Sequence, residues 1–110
     1  MSNFTRRTAL TKADIVDHIA SGTGLTKVET EAVVDGFIQT VIEALKEGKN
    51  IEIRGFGSFK TKKRKGRMAR NPRTGAQVQV HEHFVPYFKV SKDLRTTVNE
   101  NLKKIQPATI

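Results

Sequence analysis

The 110-residue chain has no cysteine, no tryptophan, one tyrosine, three prolines, and 11 acidic residues against 20 lysines and arginines. Without cysteine, disulfides, thiol catalysis and thiolate zinc sites are excluded. No run of about 18 apolar residues occurs and no apolar segment follows the basic start, so neither a transmembrane span nor a secretory signal is expected. A cytoplasmic location is the default expectation. No nucleophile and base, and no carboxylate cluster, stand at a recognisable catalytic spacing, so an enzyme, a cofactor and a small-molecule substrate are not expected. Gly55-Phe56-Gly57 lacks the Lys-Ser or Lys-Thr of a phosphate-binding loop and opens a strand instead of a helix.

What the chain does have is positive charge. The formal net charge is +9, with a pI near 10.2, and much of it is concentrated between Lys60 and Gly75. That stretch carries eight basic side chains, Lys60, Lys62, Lys63, Arg64, Lys65, Arg67, Arg70 and Arg73, and no acidic one. So many like charges cannot be core; they face solvent or a polyanion. Strand-like sequence flanks the stretch on both sides, Ile51 to Phe59 and Val78 to Val90, which predicts an extended hairpin ending in Asn71-Pro72-Arg73-Thr74-Gly75. Asn, Pro and Gly together are turn chemistry. Pro72 reads in two ways, as a residue that only shapes the turn or as an apolar wedge between base steps of DNA held in the minor groove. A membrane is the weaker polyanion, because the basic residues lack the Trp, Phe and Leu face of an interfacial helix.

Length predicts one domain, and a hydrophobic content of 36% leaves a small core once the hairpin is subtracted. Association with a second chain is therefore expected. Thr11 with Asp14, and Thr26 with Glu29, form two capping boxes that open helices. The first helix carries Ile15, Val16, Ile19 and Ala20 on one face and is expected to stop at Gly22 and Gly24. The second repeats Val33, Phe37, Val41 and Leu45 and is expected to run to about Glu47, with Gly48 as a left-handed cap. Ser91 caps a last helix with Leu94, Val98 and Leu102 on one face. The predicted order is helix, helix, three strands, helix: an α+β fold with a helical hairpin base and a three-stranded antiparallel sheet. A long β-arm, about residues 60–80, is inserted between the second and third strands. Phe56 and Phe59 read as core aromatics, and Pro86 within the third strand implies an edge or a bulge. Residues 1–10, with Arg6 and Arg7, read as a flexible extension and residues 105–110, with Pro107, as a frayed tail around a domain at 11–104. His81 and His83 would share a strand face, but with only His18 besides, no metal site is expected.

Three motifs, Arg54-Gly55-Phe56-Gly57-Ser58-Phe59, Arg70-Asn71-Pro72-Arg73-Thr74-Gly75, and Val85-Pro86-Tyr87-Phe88 before a Ser-Lys-Asp-Leu-Arg helix start, resemble the HU and integration host factor family of bacterial nucleoid-associated DNA-bending proteins. The resemblance covers roughly Thr11 to Lys104. It implies an intertwined dimer, homodimeric or heterodimeric, whose helices form a base while two β-arms embrace double-stranded DNA. It further implies that Pro72 intercalates and that Asn71, Arg67, Arg70 and Arg73 belong to the arm in the minor groove. Arg54 would meet the flank of the DNA as in integration host factor β-subunits, and Lys12, Lys89 and Lys92 would meet backbone phosphate. Many relatives carry Thr-Gly before the Arg-Asn-Pro run, where this chain has Met68-Ala69 after Gly66-Arg67. The function implied is chromosome compaction and DNA bending; the alternatives are a sequence-preferring integration-host-factor-like subunit and, in another class, an RNA-binding structural protein.

Overall fold

The computed structural model of the chain describes residues 9–105; Arg6, Arg7 and Pro107, and most of the expected extension and tail, lie outside the described residues. Two compact units, Met1–Ile42 and Glu43–Ile110, divide the chain within its second helix.

In the first unit, α1 (Lys12–Thr23) opens with the expected capping box: Asp14 N donates to Thr11 Oγ1, and Thr11 N donates back to the Asp14 carboxylate. Gly22 lies inside this helix and does not stop it. Gly24 does, in the left-handed region at φ 82, its N–H donating to Ala20 O. A left-handed residue ends the run of helical angles and also satisfies a carbonyl of the last turn. The second box, between Thr26 and Glu29, opens α2 (Lys27–Lys46). Two ion pairs join α1 to α2, Lys12 to Asp35 at 2.7 Å and Lys27 to Asp17 at 3.4 Å. Among the described residues, Val16 and Ala20 are the only buried hydrophobic residues. The α2 stripe is not enclosed: Val33 remains 64% exposed and Phe37 48%. Contiguous exposed apolar side chains of this kind mark an interaction surface.

In the second unit, α2 ends in a Schellman arrangement, with Gly48 at φ 75, Gly48 N donating to Leu45 O and Lys49 N to Ala44 O. Strands β1 (Ile51–Ile53), β2 (Gly57–Arg64) and β5 (His83–Val90) form an antiparallel sheet in the order β1-β2-β5. A turn from Ile53 to Phe56 joins the first two, closed by Phe56 N donating to Ile53 O, with Gly55 at φ 81. Positive φ at the third turn position defines type II geometry and calls for glycine. Gly57 is held for a different reason: a Cβ there would stand 2.5 Å from Lys89 O and 2.5 Å from the Phe88 ring.

The expected three-stranded antiparallel sheet is present, and the arm that extends it is segmented. The long return strand is split into β4 (Gln77–Val80) and β5, and the outgoing one into β2 and β3 (Arg67–Arg70). Both ladders keep one register, Arg64 opposite His83 and Arg67 opposite Val80, so the arm is a single hairpin interrupted at Lys65-Gly66 and His81-Glu82. Gly66 marks the break, where a Cβ would lie 2.9 Å from Val80 O. Pro86 sits on β5, an edge strand, as expected. Ser91 N donates to Phe56 O just beyond the β2–β5 ladder, and alternation from there puts Pro86 and Thr61 at a non-hydrogen-bonded pair. The missing N–H of the proline therefore falls on the open edge. Helix α3 (Lys92–Ile105) starts from Ser91, whose Oγ accepts from Leu94 N at 3.0 Å.

Candidate nucleic-acid interface

Alternation along β2 and β5 sorts side chains onto two faces. One face holds Ile51, Ile53, Phe59, Phe88 and Val90. Phe88 packs against both Phe59 and Phe56, with ring centroids 4.9 Å apart in each case, so the expected core aromatics do meet, although Phe56 stays 43% exposed. The opposite face carries Lys60, Lys62 and Arg64 from β2 and His83, Val85, Tyr87 and Lys89 from β5. The basic residues are thus not one set. Lys63 falls on the phenylalanine side, opposite Phe84, and its Nζ lies 3.2 Å from the Glu82 carboxylate. Lys65 lies in the interruption, Arg67 faces Val80, and Arg70 faces Gln77 on the other side of the arm.

At the base of the basic face a shallow depression brings together Arg54, Lys60 and Lys89, with Glu52, Ser58 and Ser91 also lining it. Arg54 is placed there by the type II turn, and Lys89 by its pairing with Ser58. Lys92 opens α3 one residue beyond Ser91. Glu52 was not singled out from the sequence; its alternation with Ile51 and Ile53 put it on the outward face, but its company with Arg54 and Lys89 depends on the sheet. Lys12 belongs to the first unit and is already paired: its hydrogen bond to Asp35 and the charge of that carboxylate, with a smaller contribution from Glu31, raise its pKa above the usual lysine value.

The arm tip is built around Asn71. Its N–H donates to Ala76 O at 2.8 Å, its carbonyl accepts from Gly75 N at 2.7 Å, and its Oδ1 accepts from Arg73 N at 2.8 Å. The last bond is an Asx turn, which fixes the chain direction across Pro72. Thr74 Oγ1 accepts from Ala76 N, and Gly75 adopts φ 74. Pro72 is exposed at the apex while Asn71 is half-buried beneath it. The asparagine, expected as a DNA contact, spends its side-chain oxygen on the loop.

A tip held open in this way, on a hairpin with cations along it, has counterparts among known proteins. The family model for bacterial DNA-binding proteins matches residues 10–99. The chain belongs to the bacterial DNA-binding protein family. Members of this HU and integration host factor family are DNA-binding, dimer-forming architectural proteins and not enzymes. The chain is 45% identical over 96 residues to integration host factor subunit beta of Marinobacter nauticus, covering 86% of this chain and 98% of that one. To the DNA-binding protein HU of Lactococcus lactis subsp. lactis it is 39% identical over 87 residues, covering 79% and 96%. A solved structure of Anabaena HU, cocrystallised with DNA, superposes with a TM-score of 0.73 at 32% identity, covering 90% of this chain and 100% of that chain. These matches and the helices and antiparallel strands described above bear out the expected α+β fold of this family.

Proposed function

We propose that two copies of this chain bind duplex DNA, lay their β3–β4 arms in the minor groove, and bend the duplex by seating Pro72 between base steps. In the cell this organises and compacts the bacterial chromosome in the nucleoid. The observation that carries the reading is the exposed Pro72, held at the apex by the bonds of Asn71 on a hairpin whose outgoing strand has no acidic residue. The crystallisation of a 32%-identical HU with DNA supports it. The working domain is 11–104, with 1–10 and 105–110 as appendages.

The roles of the basic residues belong to the same proposal. Arg67, Arg70 and Arg73 line the groove around Pro72, and Asn71 positions the wedge. Lys60, Lys62, Arg64, Lys89 and Lys92 take phosphates along the flank, with Arg54 at the base. Lys12, Lys63 and Lys65 add to the general attraction, the first two after leaving their carboxylates. Unstacking costs on the order of a few kcal/mol per step and bending about 1 to 6 kcal/mol. Flank phosphates offset this, because each one neutralised adds about 0.9 to the slope of log affinity against log salt. The open stripe of Val33, Phe37, Ile38 and Ile42 is covered by the second copy, and sedimentation at micromolar protein is expected to give twice the chain mass.

The deciding experiment is end-to-end fluorescence transfer on a labelled duplex. Pro72→Ala lowers the bend at saturation while keeping most of the salt-dependent affinity; an unchanged bend overturns the wedge. A sequence-preferring role, as in integration host factor, is the second reading, favoured by 45% identity to a beta subunit and by Arg54 in the basal depression beside Glu52. It requires an affinity gap of about 10³-fold or more between an A·T-rich consensus site and a random duplex.

A further inference from the structure

We propose that His83 is a proton-gated phosphate contact, joining the basic face only as the imidazolium, so that DNA binding takes up a proton at this position. The inference rests on the reading that this face meets the duplex.

His83 opens β5 directly opposite Arg64, on the face that also carries Lys62, Tyr87 and Lys89. Its ring is exposed, and Nδ1 lies 2.9 Å from the carbonyl oxygen of His81. A carbonyl only accepts, so Nδ1 carries the proton in that bond. In the neutral ring the other nitrogen, Nε2, is then a bare lone pair. A phosphate oxygen has no proton to offer it, and two lone pairs repel. Protonation turns Nε2 into a donor and gives the ring a positive charge, which together make a charge-assisted hydrogen bond to phosphate. A histidine without the Nδ1 bond could present a neutral Nε2–H by changing tautomer. Here that change breaks the bond to His81. The gate is therefore built from the backbone carbonyl and not from the His81 ring.

The charged neighbours do not supply a competing partner. From β2, Lys62 and Arg64 share the face; Lys63 is on the other side with Glu82 at 3.2 Å, so the carboxylate next to His83 in the chain is already engaged. Lys65 follows Arg64 in the interruption, and along β5 itself the titratable groups are Tyr87 and Lys89. The carboxylate on this face, Glu52, pairs with Ser58 at the far end of the sheet from Arg64 and His83; with DNA a phosphate meets Nε2. Binding that stabilises the protonated form must strengthen as pH falls.

The test is a set of anisotropy titrations of a fluorescent duplex at constant salt, for the wild-type protein, His83→Gln and His81→Gln. From about pH 8 to about pH 6 the wild-type affinity is expected to rise on the order of 3- to 10-fold per protomer. In His83→Gln that increment disappears, and the wild-type-to-variant ratio grows toward acid pH. His81→Gln keeps its carbonyl and the full response. The inference is overturned if His83→Gln responds to pH as the wild type does, or loses affinity by one factor at every pH, which marks a structural role. It is equally overturned if nitrogen NMR shows Nε2 still unprotonated in the complex near pH 6. Failure of the wild type to bind DNA at any pH would instead refute the interface reading itself.

Discussion

Replacing Asn71 by alanine separates the two jobs at the arm tip, holding the wedge and being the wedge. Alanine keeps the backbone bonds to Ala76 and Gly75 and deletes only the 2.8 Å bond from Arg73 N to Oδ1. A single neutral hydrogen bond is worth about 0.5–1.5 kcal/mol net. At about 1 kcal/mol the fraction of tips set for insertion falls about fivefold. Two tips that act independently contribute additively in energy, so a bent complex needing both weakens by about 25-fold. End-to-end fluorescence transfer reads this as a titration midpoint moved right by about 5- to 25-fold with the same plateau. Pro72→Ala lowers the plateau instead. Asn71→Asp keeps an acceptor for the Asx turn but puts a negative charge near phosphate, so its loss of affinity grows as salt is lowered. If Asn71→Ala lowers the plateau as Pro72→Ala does, or moves nothing, the asparagine is not a positioning residue.

Asp35→Asn removes the partner that raises the Lys12 pKa. Because the folded value is raised, the pair's stabilisation is full below the ordinary lysine value of 10.5 and lost as pH rises through the folded one. The variant should thus show a weaker alkaline dependence of melting, and a salt slope for DNA binding steeper by up to about 0.9 per protomer as Lys12 becomes available. Glu29 has the opposite sign. Its bonds with Thr26 lower its pKa below 4.5, so its contribution is present above that value and disappears as pH falls through the lower folded one. Melting curves of Glu29→Ala should lose part of the acid dependence the wild type shows below about pH 5, and an unchanged acid limb would refute the cap's contribution. Gly57→Ala forces a Cβ against Lys89 O and the Phe88 ring, and overpacking of about 1–3 kcal/mol lowers the melting temperature by roughly 4 to 20 °C. An unaltered melt would mean that β5 yields without cost.

The parts of the molecule legible in the chain are those whose causes lie within a few residues. Thr11 with Asp14, Thr26 with Glu29, Gly48, and Ser91 each act through bonds no more than one helical turn long, and every one is formed. A glycine near a helix end resembles a stop, so the sequence points to Gly22 as well as Gly24, whereas the residue that takes the left-handed angle is Gly24. The cationic hairpin and its turn were visible for the same local reason. The break in the arm was not, because it depends on how closely Gly66 approaches the returning strand.

The chain by itself determined the order of helices and strands, the excess of positive charge on the arm, and the position of Pro72 at its tip, since these follow from capping, alternation and turn preference. Tertiary structure decided which charges are available. Lys12 meets Asp35 23 residues away, Lys63 meets Glu82 across the hairpin, and Arg54, Lys60 and Lys89 gather only when β1, β2 and β5 are in register. Charge is a property of a residue, but its freedom to meet a phosphate depends on what the returning chain sets beside it, and that is settled by pairing between segments distant in sequence.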